Sequence, residues 1–457
     1  MVQSPWPYHE SDHVLNLAYN ALCEGKCLED LELRRQDEAY LNLLGAERIP
    51  DPTTAGDFCR RFARQDLQAL QQAYDVARRK IWSQQPPEFF AVARIEADGS
   101  LLETGAECKE GVDLSYKGLW SYHPLLLTLA NTGEVLRLIN RSGSRPSHER
   151  AAALIDECIQ MCRAAGFQKM LVRGDTDFSQ TKHLDGWHQQ GDMEFVFGFD
   201  VSPDQHIDAD DLPVTAWRRL KRPPKYVAQG KPRARPERIK QQIVEERQFK
   251  DIRLVSEDVA ERPYRPAACK TTYRLVIVRK NLMVSDPKQG RLFPDYRYFI
   301  YITNDWESTA EEIVFSANDR CQQENLVAQL KAARALHAPV DNLLSNEAYM
   351  LMTALGWNLK AWLALSLPEP AVEKQPSKKK SKKRKKSKSL TQEKKRQPSD
   401  KQRLMGLEFR TFVNYFLRIP AQVVRTGRRI VVRLLASNKW QPVFFRLVEK
   451  FTRPGRC

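Results

Sequence analysis

The chain has 457 residues, 42% hydrophobic and 28% charged, enough for roughly two to four structural units around a sizeable core. Its formal net charge of +16 is uneven: residues 374–403 carry +13, residues 404–457 carry +9, and residues 1–373 are left with −6. Nine scattered cysteines with no CxxC pair exclude a disulfide frame and point to a reducing compartment.

Residues 9–84 read as helical, with apolar positions recurring through Val14, Leu15, Leu17, Ala18 and Leu22 and again through Ala39–Leu44. The turn Ile49-Pro50-Asp51-Pro52 leads into a helix over Thr53–Phe62 that Asp51 or Thr53 can cap. Two short helices around a tight turn fit either a helix-turn-helix or an ordinary bundle. Near residue 88 the pattern changes to strands. Phe89–Ile95 ends at Asp98-Gly99-Ser100, and Tyr122–Ala130 and Glu134–Asn140 flank the hairpin signal Asn131-Thr132-Gly133. A helix opened by Ser147 or Arg150 runs to Ala165, and its Cys158/Cys162 pair reads as two small apolar residues on one face, as Cys23/Cys27 do. Lys169–Val172 is a fourth strand, ending at Gly174-Asp175; a short helix near 180–190 and a strand over Glu194–Phe199 follow.

Strand, strand, strand, helix, strand, helix, strand is the order of an RNase H-like α/β fold, a mixed sheet with flanking helices. Chemistry in such a sheet sits at carboxyl ends of strands, where Asp98 and Asp175 are predicted to lie. The expected organisation is a helical region over 1–87 with a DNA-binding option, and a catalytic core in two parts, 88–205 and 296–370. A β-rich insertion over 206–295 interrupts the core, with strands predicted at Ile252–Val255 and Tyr273–Val278. Tyr296–Thr303 is a further strand, Ala317–Leu336 a helix carrying Glu324, and Leu343–Leu367 helical. The stretch 349–368 contains Asn358 and Lys360 and reads as a buried helix, not a membrane span. Residues 371–405 read as a disordered Lys/Ser-rich linker that adds non-specific DNA affinity. Residues 406–457 read as a basic helical module, with Arg425, Arg428, Arg429 and Arg433 on a DNA- or dimer-facing stripe.

Arg320 precedes Glu324 by four residues and Lys331 follows it by seven, offsets close to whole helical turns. A carboxylate between two cations is suited to meeting both a metal and a phosphate. Three carboxylates brought within ~4 Å repel by roughly 4 kcal/mol per pair at an effective dielectric near 20, so their convergence implies a divalent cation. In the loop before the first core helix, Arg141, Arg145 and His148 can contact DNA phosphate. Equally, Ser147 and Glu149 can simply cap that helix.

The stretches Asp98-Gly99-Ser100, Asn140–Glu149, Arg173–Phe178 and Asn318–Asn325 resemble those of DDE transposases of bacterial insertion sequences. The resemblance is to the group with a β-rich insertion and a Tyr-Arg-Glu-Lys signature on the Glu helix. It implies that Asp98, Asp175 and Glu324 are catalytic and hold two Mg²⁺ ions, with Mn²⁺ as an alternative. Asp177 is a rival to Asp175, which is preferred because it directly follows the strand. Arg320 and Lys331 match the Arg and Lys of the signature; its Tyr position falls on Ala317. The implied activity is cut-and-paste transposition, with DNA binding by Arg320, Lys331, Arg145, Arg141, His148, Arg428 and Arg429. The implied partners are terminal inverted repeats, target DNA and a second copy in a synaptic complex. The implied location is the bacterial cytoplasm, on the nucleoid, with no membrane. Trp217 and Trp306 stand near the insertion's edges, either as core residues or as platforms for a flipped base. Further residues ahead of the Tyr8–Asp12 region are expected. A transposase-derived DNA-binding protein that no longer cuts, and a structure-selective nuclease on the same fold, are the competing functions.

Overall fold

In the computed structural model, the described residues are 8–200, 209, 212–222, 237–247, 250–286, 291–368, 398–427, 429–435 and 438–452. The basic Pro-rich stretch over 223–236, most of the expected linker (369–397) and Arg428 lie outside them. The helices are α1 (Glu10–Leu22), α2 (Leu31–Arg35), α3 (Glu38–Leu44), α4 (Pro52–Arg60), α5 (Arg64–Trp82), α6 (Ala151–Ala165), α7 (Thr181–His188) and α8 (Ile239–Glu246). After them come α9 (Ala310–Asp319), α10 (Cys321–Ala332), α11 (Leu343–Leu365), α12 (Asp400–Met405), α13 (Phe409–Phe416) and α14 (Gln441–Thr452). The strands are β1 (Val92–Gly99), β2 (Leu102–Glu103), β3 (Asp113–Leu114), β4 (Trp120–Tyr122), β5 (Leu125–Leu129), β6 (Glu134–Ile139), β7 (Lys169–Gly174) and β8 (Met193–Phe199). They continue as β9 (Arg218–Arg219), β10 (Asp251–Tyr264), β11 (Tyr273–Asp286), β12 (Arg291–Thr303), β13 (Ala421–Thr426) and β14 (Arg429–Leu434).

The main sheet has the strand order β6-β5-β1-β7-β8-β12-β11-β10-β9. Its first five strands form the expected RNase H-like arrangement: β1 runs antiparallel to β5 and parallel to β7, and β7 runs parallel to β8. Residues of β5 and β6 are buried throughout, as expected where both faces of a sheet are covered. On β1 the side chains alternate. Ala93, Ile95 and Ala97 pack with Leu154, Ile155 and Cys158 of α6, while Glu96 and Asp98 point to the opposite face.

The insertion does not form a separate unit. Its last strand, β12, pairs antiparallel with β8 over Phe199/Ile300 to Val196/Thr303, so the core sheet runs on unbroken into the insertion. The expected boundary between 295 and 296 therefore falls inside one strand. The predicted short strands are the ends of much longer ones, because β10 and β11 pair from Asp251/Ser285 to Tyr264/Tyr273.

The N-terminal helices join the same core. Asp51 caps α4 by accepting from the Thr54 N–H at 2.8 Å. Val14, Leu17, Phe58 and Leu67 bury together with Tyr349, Met350 and Leu355 of α11. The α1–α11 approach is close enough that a Cβ on Gly356 would stand 2.6 Å from the Ala18 carbonyl oxygen. Glu134, fully buried, ties these layers. It accepts from Arg78 Nε at 3.0 Å and Trp82 Nε1 at 3.0 Å on α5, from Trp362 Nε1 at 2.7 Å on α11, and from Thr132 Oγ1 at 2.6 Å.

Two expectations at the C-terminal end are corrected. The linker does not extend to residue 405: Ser399 caps α12, accepting from the Gln402 N–H at 3.2 Å, and Leu404 is fully buried. The 406–457 module is not all helical. Ile430-Val431-Val432 lies in β14, paired antiparallel with β13 around Gly427 at φ 57°. β-Branched residues are stiff at χ1 and pack well on a pleated surface, which explains the strand.

Candidate active site

Asp98 and Asp175 are brought side by side by strand register. Glu96 pairs with Arg173 across the parallel β1–β7 ladder; Asp98 lies two residues further along β1 on the same face, and Asp175 lies two residues beyond Arg173, just past the end of β7. Beneath them Arg173 and Glu96 form a buried ion pair. Arg173 also donates to the Ser316 carbonyl at 2.7 Å, and Gln323 Nε2 donates to the Glu96 carbonyl at 3.0 Å. These contacts dock the α9–α10 pair onto the two strands and so bring Arg320 to Asp98. Glu96, Arg173 and Gln323 were not singled out from the sequence, although the residues two before each aspartate must share its face.

The expected continuous helix over Ala317–Leu336 breaks at Arg320, which ends α9 and begins α10. Arg320 sits between acids: its guanidinium is 4.0 Å from Asp98 Oδ1 and 3.4 Å from Glu324 Oε1. The Asp98 side chain is 15% exposed and that of Glu324 59%. Among the described residues no three acidic, histidine or cysteine side chains stand close enough together to hold a metal ion; Glu324 turns to Arg320. Burial, with Asp175 and Glu324 nearby, pushes the Asp98 carboxyl up to about 7 against the pull of Arg320. Asp175 is also raised, chiefly by burial and by Asp177. It caps the turn Thr176–Phe178, accepting from the Asp177 N–H at 3.1 Å, while Asp177 itself is exposed.

The other expected DNA contacts divide. Arg145 (58% exposed) and His148 stand on the surface of the loop before α6, and Arg145 is 3.6 Å from Glu149. Arg141 is corrected: it is 4% exposed and its guanidinium points inward. It donates to the carbonyls of His123, Pro146, Ser147 and Glu149 at 2.9–3.0 Å, so it shapes the loop that presents Arg145 and His148. No side-chain cap forms at the start of α6, where Arg150 takes φ 63°. Lys331 donates to the Leu101 carbonyl at 2.6 Å, holding the segment just past Asp98 instead of standing free on the Glu324 face. Arg429 is exposed on β14. Trp217 is half-buried with Arg279 stacked 4.1 Å from its ring, and Trp306 is 53% exposed. Beside Asp175 a cavity of about 330 Å³ is lined by Phe199, Tyr301, Ala317, Arg320 and Cys321, among others.

The family profile described as "Transposase DDE domain group 1" matches residues 4–380. The chain belongs to the DDE transposase family. A cryo-EM structure titled as a piggyBac transposase synaptic complex with hairpin DNA is similar at 11% identity and a TM-score of 0.33, covering 80% of this chain and 73% of that one. No curated protein matches.

DDE transposases imply a divalent metal, and the two aspartates fit one. They are hard oxygen donors on adjacent strands. Asp98 is a half-buried carboxylate with the Arg320 guanidinium 4.0 Å away, and that Arg320 Nη1 is itself buried without a hydrogen-bond partner. This electrostatic state is measurable. The folded pKa of Asp98, about 7, lies above the ordinary aspartate value of 3.8. Stability from the neutral carboxyl is therefore full below pH ~4 and lost as pH rises through ~7. In metal-free protein, Asp98→Asn is expected to be the more stable form at pH 8, by up to about 4 kcal/mol, with the gap closing toward pH 4. A melting-temperature difference that stays constant over this range would contradict the assignment.

Proposed function

We propose that the chain is a Mg²⁺-dependent DNA transposase, with Mn²⁺ as an alternative. It cuts an insertion sequence free at terminal inverted repeats and joins its ends to target DNA. The observation that carries this reading is the placement of Asp98 near the end of β1 and of Asp175 just past the end of β7, each two residues beyond the Glu96/Arg173 register pair of these adjacent parallel strands, with Arg320 at the α9–α10 junction between Asp98 and Glu324. Two divalent ions held there by Asp98, Asp175 and Glu324 would supply activation of the attacking water or 3′-hydroxyl and stabilisation of the leaving oxygen.

The chain's own residues do the rest. Asp98 and Asp175 would furnish ligands to the ions, with Glu324 as a third on leaving Arg320, and the planar guanidinium of Arg320 would then be free to meet the scissile phosphate. Lys331 holds the backbone just past Asp98 through the Leu101 carbonyl. Arg145 and His148 offer a neighbouring phosphate contact from the loop that Arg141 organises. The active species is a homodimer pairing two DNA ends, acting on the nucleoid in a bacterial cytoplasm. No helix among the described residues is long and apolar enough to cross a membrane.

The test uses DNA carrying the repeats that flank the reading frame. With Mg²⁺, the protein is expected to expose 3′-hydroxyl ends and to join a pre-cut end to a second duplex. Binding without nicking would make it a DNA-binding derivative of the family. Nicking without joining would make it a nuclease.

A further inference from the structure

The hairpin β13–β14 stands apart from the main sheet as its own two-stranded ladder. A two-stranded ribbon alone is marginal in water, so its base must be anchored. It is: Leu435 N–H donates to the Pro420 carbonyl at 2.9 Å. The flanking α13 and α14 bury Phe412, Phe416 and Val443, with Trp440 just ahead of α14, in the core that contains α11. The ribbon is thus a rooted projection.

Register sorts its side chains into two faces. Gln422 opposes Arg433, Val424 opposes Val431, and Thr426 opposes Arg429, so these six point to one side. Along β14 exposure alternates strictly: Arg429, Val431 and Arg433 are exposed, and Ile430, Val432 and Leu434 are half-buried. Gln422 and Thr426 are exposed as well. On the other face Arg425 reaches Glu38 of α3 at 3.0 Å; Ala421, Val423 and Arg425 of that face stay exposed, and its covered residues are Ile430, Val432 and Leu434 of β14. The first face therefore presents Arg429, Arg433, Gln422, Thr426 and Val431 exposed, with Val424 half-buried between them. Residues 421–435 include four arginines and no acid.

We infer that this ribbon is a DNA-reading element that enters the major groove of a duplex. Three properties select that occupant. A two-stranded β-ribbon is one of the shapes that fit a groove about 12 Å wide. Arg429 and Arg433, four residues apart on one strand, are separated by ~13 Å, which lets them reach phosphates on both rims. Gln422, Thr426 and Val431 then face base edges, with hydrogen-bonding groups and an apolar group suited to a thymine methyl. A second copy of the same ribbon is a poor occupant, because the arginines of two such faces, with no acid between residues 421 and 435, repel. The inference rests on the transposase reading and adds to it where sequence is read.

The experiment uses the full chain and a random-sequence DNA duplex, with Arg429→Ala/Arg433→Ala compared with the parent. Both residues are exposed, and an unchanged melting temperature confirms the fold. Each lost phosphate contact removes about 0.9 from the slope of log K against log salt, so the slope is expected to weaken by about 1.8. Dimethyl sulfate protection at guanine N7 is expected in the parent and lost in the variant. An unchanged slope with unchanged N7 protection overturns the ribbon's role while leaving the transposase reading intact. Failure of the parent to bind duplex DNA overturns both. A change in sedimented mass without a change in DNA affinity would make the ribbon a protein contact and overturn the inference.

Discussion

Asp98→Ala and Asp175→Ala are each expected to reduce DNA cleavage by about a thousand-fold and to leave DNA binding within a few-fold of the parent. The magnitude follows from the metal ions that the pair would hold under the proposed function. Metal-based charge stabilisation contributes several kcal/mol to a transition state, and about 4 kcal/mol corresponds to roughly a thousand-fold in rate. The separation of cleavage from binding follows from position. The aspartates end adjacent strands of the core, whereas the cationic surface at Arg145, Arg429 and Arg433 lies on other elements. Glu324→Ala is expected to fall in the same direction. Its carboxylate is the exposed member of the set and pairs with Arg320, so its loss also releases that guanidinium. Gel-based cleavage and fluorescence-anisotropy binding, run on the same preparations, provide the two readouts. Near-parental cleavage by either aspartate variant would remove these residues from the chemistry.

The second large effect is on stability. Glu134→Ala is expected to destabilise the chain by about 3–5 kcal/mol, the usual result of leaving a buried partner uncompensated. The carboxylate is fully buried and accepts four hydrogen bonds from three elements. Its removal strands two indole N–H groups and weakens the hold on Arg78, whose other partners are Asp75 and the Val135 carbonyl. Glu134→Gln keeps the shape and one acceptor oxygen and is expected to cost about half as much. Chemical denaturation followed by tryptophan emission measures both. An Ala variant within 1 kcal/mol of the parent (estimated from the ordinary surface range) would show that the hub is redundant.

The strand order and the two aspartates were legible in the chain because period-2 runs and their polar terminators are local signals. Asp51 as a cap and the turn at Gly133 were legible for the same reason. What escaped depends on burial or on distant pairing. Arg141 looks like any loop arginine until the fold closes four carbonyls around it. Ile430-Val431-Val432 is too short to separate strand from helix by periodicity, although its β-branching favoured the strand. Ser399 and Gln402 spell a capping box, a signal hidden by the lysines before it. The union of insertion and core could not be read locally, because β8 and β12 are far apart in sequence and meet only in the folded sheet.

That union governs how the polypeptide emerges from the ribosome. The edge of β8 is complete at Phe199, but its partner is not made until Arg291–Thr303 has been synthesised. Until then an apolar strand, with Phe195, Val196 and Phe197 destined for full burial, offers open backbone groups to any neighbouring chain. Long-range closure of this kind is slow, and the interval exposes the nascent protein to aggregation. Expression at lower temperature, or with a holdase chaperone, is the natural remedy for poor yield of this chain.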